Sequence, residues 1–190
     1  MRSVGYLGPE GTFSHLVARK HFGATARLVP CPAIYDVFAH VLGGPGRLGV
    51  VPIENSSGGT IYETIDGLVE HAGRLHIREE LSLNVKLALL GHKRQRVTDV
   101  YSHFVPLKHC SAWLRKRLPG VTAHPIASTA KAAELAAATP TAAALGTRDA
   151  ARRYNLDILQ FPVETDAPNI TEFLVIGTSE LAMPDNIAYQ

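Results

Sequence analysis

Between Leu75 and Gly91 the apolar residues Leu75, Ile77, Leu81, Leu83, Val85 and Leu87 fall on alternate positions, with one gap around Glu79. Period two marks a β-strand with one buried face. At about 16 residues the run exceeds the usual strand length. One sheet does not hold it comfortably, and it reads as a bridge between two lobes.

Strands and helices alternate on both sides of that bridge. On the N-terminal side, the run Val4 to Leu7 ends in the turn cluster Gly8-Pro9-Glu10-Gly11, and Thr12 or Ser14 caps a helix through Phe22. A strand from Ala26 to Val29 follows, then a helix carrying Ile34, Val37, Phe38 and Val41. The continuous run Leu48 to Ile53 has the composition of a strand covered on both faces. A polar loop from Glu54 to Gly59 leads into a helix over Tyr62 to Glu70.

The rhythm restarts after the bridge. Strands are predicted at Asp99–Ser102, Val121–His124, Ala142–Leu145, Leu156–Phe161 and Phe173–Ile176, with helices at Leu107–Leu118, Thr129–Ala138 and Arg148–Tyr154. The fold class is therefore α/β: two α/β lobes with a cleft between them. Residues 1–78 make the first lobe, to which 175–190 return, and residues 79–174 make the second. Clefts of this kind bind small ligands and exclude water on closing.

Composition narrows the function. Of 190 residues, 46% are hydrophobic and 19% charged, an ordinary globular balance that argues against disorder. The formal net charge of +2 is too small for a nucleic-acid binder, and no basic run interleaved with aromatics occurs. No apolar stretch approaches the ~20 residues of a membrane span, and the N-terminus lacks a signal-peptide core. Two cysteines, Cys31 and Cys110, supply no disulfide framework. A cytoplasmic location is expected. The nine histidines show no HExxH, facial triad or Cys/His ligand spacing, so no metal is expected, and His103 is kept as a cap near the cleft. Lys108, Arg115, Lys116 and Arg117 read as a solvated helix face, and Trp113 as core or interface.

Loops at strand ends are the places for chemistry. Gly8 to Ser14 and Ser128-Thr129-Ala130 each open a helix, so each is either a cap or an anion contact. Glu54-Asn55-Ser56-Ser57-Gly58-Gly59 follows a buried strand, and its glycines let backbone approach a ligand closely.

These segments, in order, carry a resemblance. Gly8-Pro9-Glu10-Gly11-Thr12-Phe13-Ser14, Val51-Pro52-Ile53-Glu54-Asn55-Ser56, Tyr101-Ser102-His103, Ser128-Thr129-Ala130 and Asn169-Ile170-Thr171-Glu172-Phe173 resemble the ordered motifs of the prephenate dehydratase catalytic domain. The resemblance covers roughly residues 4 to 177. It implies a fold similar to type 2 periplasmic binding proteins, an active site between lobes, and conversion of the dianion prephenate to phenylpyruvate with no cofactor, nucleic acid or membrane partner. It also implies a homodimer or higher assembly.

By the same resemblance Thr171 donates to the departing ring hydroxyl. Thr12, Ser14, Asn55, Ser56, Gly58, Ser128, Thr129, Asn169 and Phe173 are the candidates for binding substrate. The chain departs from the family at Glu172, where an arginine is usual, and the regulatory ACT domain that many members carry is not expected in it. Strand alternation turns Glu172 away if Thr171 faces the cleft. The departures also fit a decarboxylase that leaves the ring non-aromatic, and the fold shared with solute receptors also fits a non-catalytic protein that binds organic anions.

Overall fold

The computed structural model describes residues 2–163, 165 and 167–178. Their strands form two separate sheets. The first has the spatial order β2 (Ala26–Cys31), β1 (Arg2–Leu7), β3 (Leu48–Asn55), β11 (Ile170–Gly177) and β5 (His76–Asn84), with the short β4 (Gly59–Thr60) hairpinned onto β3. β1 runs parallel to β2 and β3, whereas β11 is antiparallel to both of its neighbours. Helices α1 (Phe13–Phe22), α2 (Ile34–Leu42) and α3 (Tyr62–Glu70) accompany this sheet.

Its central strand is buried on both faces, as the unbroken apolar run requires. Val50 enters one cluster with Val4, Tyr6, Val17 and Phe173, while Val51 enters another with Val37, Phe38 and Ile176.

The second sheet has the order β10 (Asp157–Gln160), β6 (Ala88–Gly91), β9 (Ala142–Gly146), β7 (Asp99–Ser102) and β8 (Thr122–Pro125). With it go α4 (Phe104–His109), α5 (Ser111–Arg117), α6 (Thr129–Ala138) and α7 (Arg148–Arg153). Alanines explain how closely α6 lies on β9: Ala132, Ala133 and Ala136 pack with Ala142 and Ala144 at almost zero exposure. Such small side chains let backbones approach at interior packing density.

The alternating segment does join the sheets, but as two strands. β5 ends at Asn84 in the first sheet and β6 begins at Ala88 in the second. The returning chain runs beside this crossing, with Val85 N–H donating to Asn169 C=O at 2.6 Å and Val163 N–H to Leu87 C=O at 2.8 Å. The sheets therefore exchange at residues 85–87 and just before 170, not at 78/79 and 174/175. The whole of β5 and β11 stays in the first sheet because β11 inserts between β3 and β5 over its full length. The part of the expected C-terminal return beyond residue 178 lies outside the described residues.

Two helix expectations change in detail. The predicted Leu107–Leu118 helix is divided at Cys110 and starts earlier, at Phe104, because His103 rather than a later residue takes the extended N-cap geometry. The polar loop after Ile53 is shorter than expected, since β3 continues to Asn55 and pairs with β4.

Candidate functional site

The carboxyl ends of β1 and β3 face those of β7 and β8 across the junction. In an open α/β sheet, the strand ends where connections part to either side form a crevice. Here β1 lies between β2 and β3, and β7 between β8 and β9, so the crevices of the two sheets oppose each other. Between them lies a cavity of about 420 Å³. Thr12, Ser14, Asn55, His103, Ser128, Thr129, Asn169, Thr171 and Phe173 all line it. Ser56, Gly58 and Glu172 are not among the lining side chains.

Asn55 organises the polar wall. It ends β3 directly opposite Thr171 of β11. Its Oδ1 accepts from the backbone N–H groups of Ser57 at 2.9 Å and Gly58 at 2.8 Å. Two backbone donors on one atom fix that atom as the carbonyl oxygen, so the other is the amide nitrogen. Nδ2 then donates to Asn169 Oδ1 and to Thr171 Oγ1, both at 2.8 Å. The Thr171 hydroxyl accepts here, and its own proton remains available to the cavity.

A register shift makes this geometry possible. Glu172 pairs with Glu54 but Phe173 with Pro52, which leaves Ile53 as the extra residue on β3. Proline cannot donate to a ladder, and a bulge re-aims the side chains beside it. Pro52 and Asn55, three positions apart, consequently both reach the cavity, which a regular strand would forbid.

Glu172 points to the opposite face from Thr171, as alternation requires, and accepts a hydrogen bond from Ser82 Oγ at 2.9 Å. Ser56 latches the start of β11 from outside the cavity. Its hydroxyl donates to Pro168 C=O at 3.1 Å and accepts from Ile170 N–H at 2.9 Å. Gly58 allows close approach to the second lobe: a Cβ there would stand 2.9 Å from Val105 Cγ2.

The helix starts divide by role. Thr12 is the N-cap of α1, accepting from His15 N–H at 3.2 Å while donating to Leu7 C=O at 3.1 Å. Its proton is thus committed within the fold. Ser128 caps α6 by accepting from Lys131 N–H at 3.1 Å, an acceptor role that leaves its proton free. His103 holds the N-cap position of α4 through its backbone only, without the side-chain cap expected of it. Burial lowers its pKa from the usual histidine value and keeps the ring neutral.

Among the described residues, no lining side chain carries a formal charge at neutral pH. The positive potential comes instead from the N-termini of α1 and α6, whose first-turn N–H groups have no intrahelical acceptors. Around the rim the lobes are tied. Thr147 Oγ1 donates to Gly11 C=O at 2.8 Å, and Arg19 pairs with Asp149 and Arg153 with Glu10. Gly11 itself sits at φ +91°, a left-handed conformation that suits glycine.

The apolar walls, among them Phe13, Pro32, Ile61, Val85, Val105 and Pro106, were not singled out by sequence reasoning. Phe13 lies within a recognised motif and Val85 within the alternating segment; the others carry no local signal. Among the described residues, no group of three or more His, Cys, Asp or Glu side chains is placed to hold a metal ion. No helix among them is long and apolar enough to cross a membrane.

Comparison with known proteins identifies the family. The family model for prephenate dehydratase matches residues 4–181. A bifunctional chorismate mutase/prephenate dehydratase from Aquifex aeolicus (strain VF5) is 38% identical over 180 residues, covering 94% of this chain and 49% of the relative. A prephenate dehydratase from Methanocaldococcus jannaschii is 34% identical over 181 residues, covering 93% of this chain and 65% of the relative. The crystal structure of prephenate dehydratase from Arthrobacter aurescens, in complex with L-Phe, superposes with a TM-score of 0.83 at 25% identity, covering 98% of this chain and 63% of that one. The chain spans about half the length of the bifunctional relatives it matches. With the family model spanning residues 4–181, the chain belongs to the prephenate dehydratase family.

Proposed function

We propose that this chain converts prephenate to phenylpyruvate, with loss of carbon dioxide and water. The observation that carries the reading is the Asn55 Nδ2 bond to Thr171 Oγ1, which leaves the threonine proton facing the cavity.

Prephenate brings two carboxylates and a ring hydroxyl para to the quaternary carbon. Breaking the bond to the ring carboxylate releases carbon dioxide, and that electron pair becomes part of the aromatic ring as the C–O bond to the hydroxyl breaks. The oxygen departs at the hydroxide level and is protonated to water. Thr171 supports that departure as a positioned donor, since a threonine hydroxyl is too weak an acid to be ionised. An apolar wall around the reacting carboxylate favours its loss, because a neutral product replaces a desolvated charge. The N-termini of α1 and α6 hold the dianion, each contributing about 1 kcal/mol. Ser128, Thr129, Ser14 and Asn169 complete the binding set.

Glu172 lies off the cavity face, which weakens the argument for a non-aromatising decarboxylase. The reading extends to a cytoplasmic homodimer. Two free buried thiols, Cys31 and Cys110, and the exposed apolar side chains Tyr62 and Val69 on α3 support it. Incubation with prephenate at neutral pH, with product identified by mass and by the alkaline absorbance of the phenylpyruvate enolate, tests the activity. Protein-free controls correct for spontaneous aromatisation in acid. A dihydro product, or saturable binding without turnover, would overturn the reading.

A further inference from the structure

The turn that carries Asn55 is gripped from the opposite lobe by one face of α4. Val105 and His109 are four residues apart and so lie on the same helix face. Val105 packs under Gly58, and His109 Nδ1 lies 2.7 Å from Ser57 Oγ. On the other side of the ring, His109 Nε2 is 2.7 Å from Thr165 Oγ1.

The direction of every bond in this chain follows from its end. Thr165 Oγ1 donates to Ala167 C=O at 3.0 Å, so it must accept from His109, and Nε2 carries the ring proton. Nδ1 is then bare, and Ser57 donates to it. Ser57 in turn donates its backbone N–H to Asn55 Oδ1. A continuous path thus runs from Thr165 through His109 and Ser57 to the amide that orients Thr171. Burial lowers the His109 pKa, consistent with the neutral ring this path needs.

We propose that His109 is a positioning residue: bonded to Ser57 and Thr165, it sets the 55–58 turn so that Asn55 aims the Thr171 hydroxyl at the substrate. This deepens the dehydratase reading and rests on it for its kinetic test. The helix N-termini hold the carboxylates independently of the turn, so loss of the clamp acts on turnover rather than on binding. Misplacement of a catalytic group by about 1 Å costs on the order of 10²-fold.

Steady-state kinetics of His109→Leu, Ser57→Ala, their double variant and His109→Gln test the proposal, with folding checked by thermal unfolding. Glutamine places an acceptor and a donor on one planar group, as the neutral ring does. His109→Leu and Ser57→Ala should each lower kcat by about 10- to 100-fold with KM within about threefold. The double variant should be no worse than His109→Leu, because the only bond that Ser57→Ala removes from His109 is already lost in His109→Leu. His109→Gln should recover kcat to within about threefold of the parent. Unchanged kcat in both single variants, multiplied effects in the double, or a glutamine variant as poor as leucine would each overturn it.

A second readout is independent of the substrate. Ring nitrogen shifts of His109 by NMR should show protonated Nε2 and bare Nδ1, with the Nδ1 resonance moving in Ser57→Ala. The opposite tautomer, or an unmoved resonance, would overturn the clamp even if prephenate proved not to be the substrate. An intact clamp in a protein that leaves prephenate unchanged would instead place the failure in the dehydratase reading.

Discussion

Asn55 and Thr171 face each other across the β3–β11 ladder, and the amide nitrogen of one donates to the hydroxyl oxygen of the other at 2.8 Å. Each side chain determines what the other can do. The two backbone bonds on Asn55 Oδ1 prevent the amide from turning over, so Asn55 stays a donor toward Thr171.

Reversing that polarity should disable the site. Asn55→Asp presents only acceptors when ionised, so Thr171 must donate to the new carboxylate and loses its free proton. The added charge also repels a dianion. We expect kcat/KM to fall at least about 10²-fold, comparable to removal of one oxyanion donor in other enzymes. Retention of activity within tenfold, in a folded variant, would contradict the assigned roles. Steady-state assay of phenylpyruvate decides it.

Glu172→Gln provides the contrasting case. Its side chain faces away from the cavity and meets Ser82 near the surface. Amidation keeps an acceptor for that serine, and turnover should change less than tenfold. A larger loss in the same assay would mean that Glu172 enters the cavity during the reaction.

Much of the fold is legible in the sequence because its determinants are local. The predicted and observed helices coincide at Tyr62–Glu70 and Thr129–Ala138, as do the strands at Asp99–Ser102. In each, the apolar pattern sits within one short segment, and Ser128 caps the second helix. Thr12, Asn55, Ser128, Asn169 and Thr171, far apart in the chain, also line one cavity. Three things were not legible. The bulge opposite Phe173 depends on pairing a proline with a strand more than one hundred residues away. The Ser57–His109 contact joins residues 52 apart, one in the turn between β3 and β4 and the other on α4. Nothing near His109 in the sequence distinguishes it among the nine histidines. The sheet exchange at residues 85–87 falls where the alternation of Leu83, Val85 and Leu87 does not break, so periodicity could not locate it.

Thr147 should stabilise the association of the lobes. It is buried at 3% exposure, caps α7 by accepting from Ala150 N–H at 3.2 Å, and donates across to Gly11 C=O. Thr147→Val keeps the shape and removes both bonds. Lost capping and one unsatisfied buried carbonyl cost about 2 kcal/mol together. Thermal unfolding should shift down by about 5 °C. An unchanged Tm would show that the rim bond carries no stability.

Acid should weaken the fold before carboxylates titrate. Burial lowers the pKa values of His15, His40, His103 and His109 from 6.5, so the unfolded chain binds protons at these sites more readily than the folded one. Their contribution is present above about pH 6.5 and is lost as pH falls below it through the folded-state values. Asp99 and Asp157 are lowered from 3.8, chiefly by hydrogen bonds from Thr98 and from the Lys93 backbone, and add to acid loss only below that value. Tm should therefore decline steadily from pH 7 to pH 5. A flat or rising profile over that range would contradict the burial of these rings.

The most direct test of the central claim is phenylpyruvate formation from prephenate at neutral pH by the parent protein and by Thr171→Val, side by side. Valine keeps the β-branched shape and removes only the donor. The parent should release phenylpyruvate well above the protein-free rate, and the variant, folded and with KM little changed, should turn over at least about 10²-fold more slowly. Equal rates for the two proteins, or no phenylpyruvate from the parent, would contradict the account.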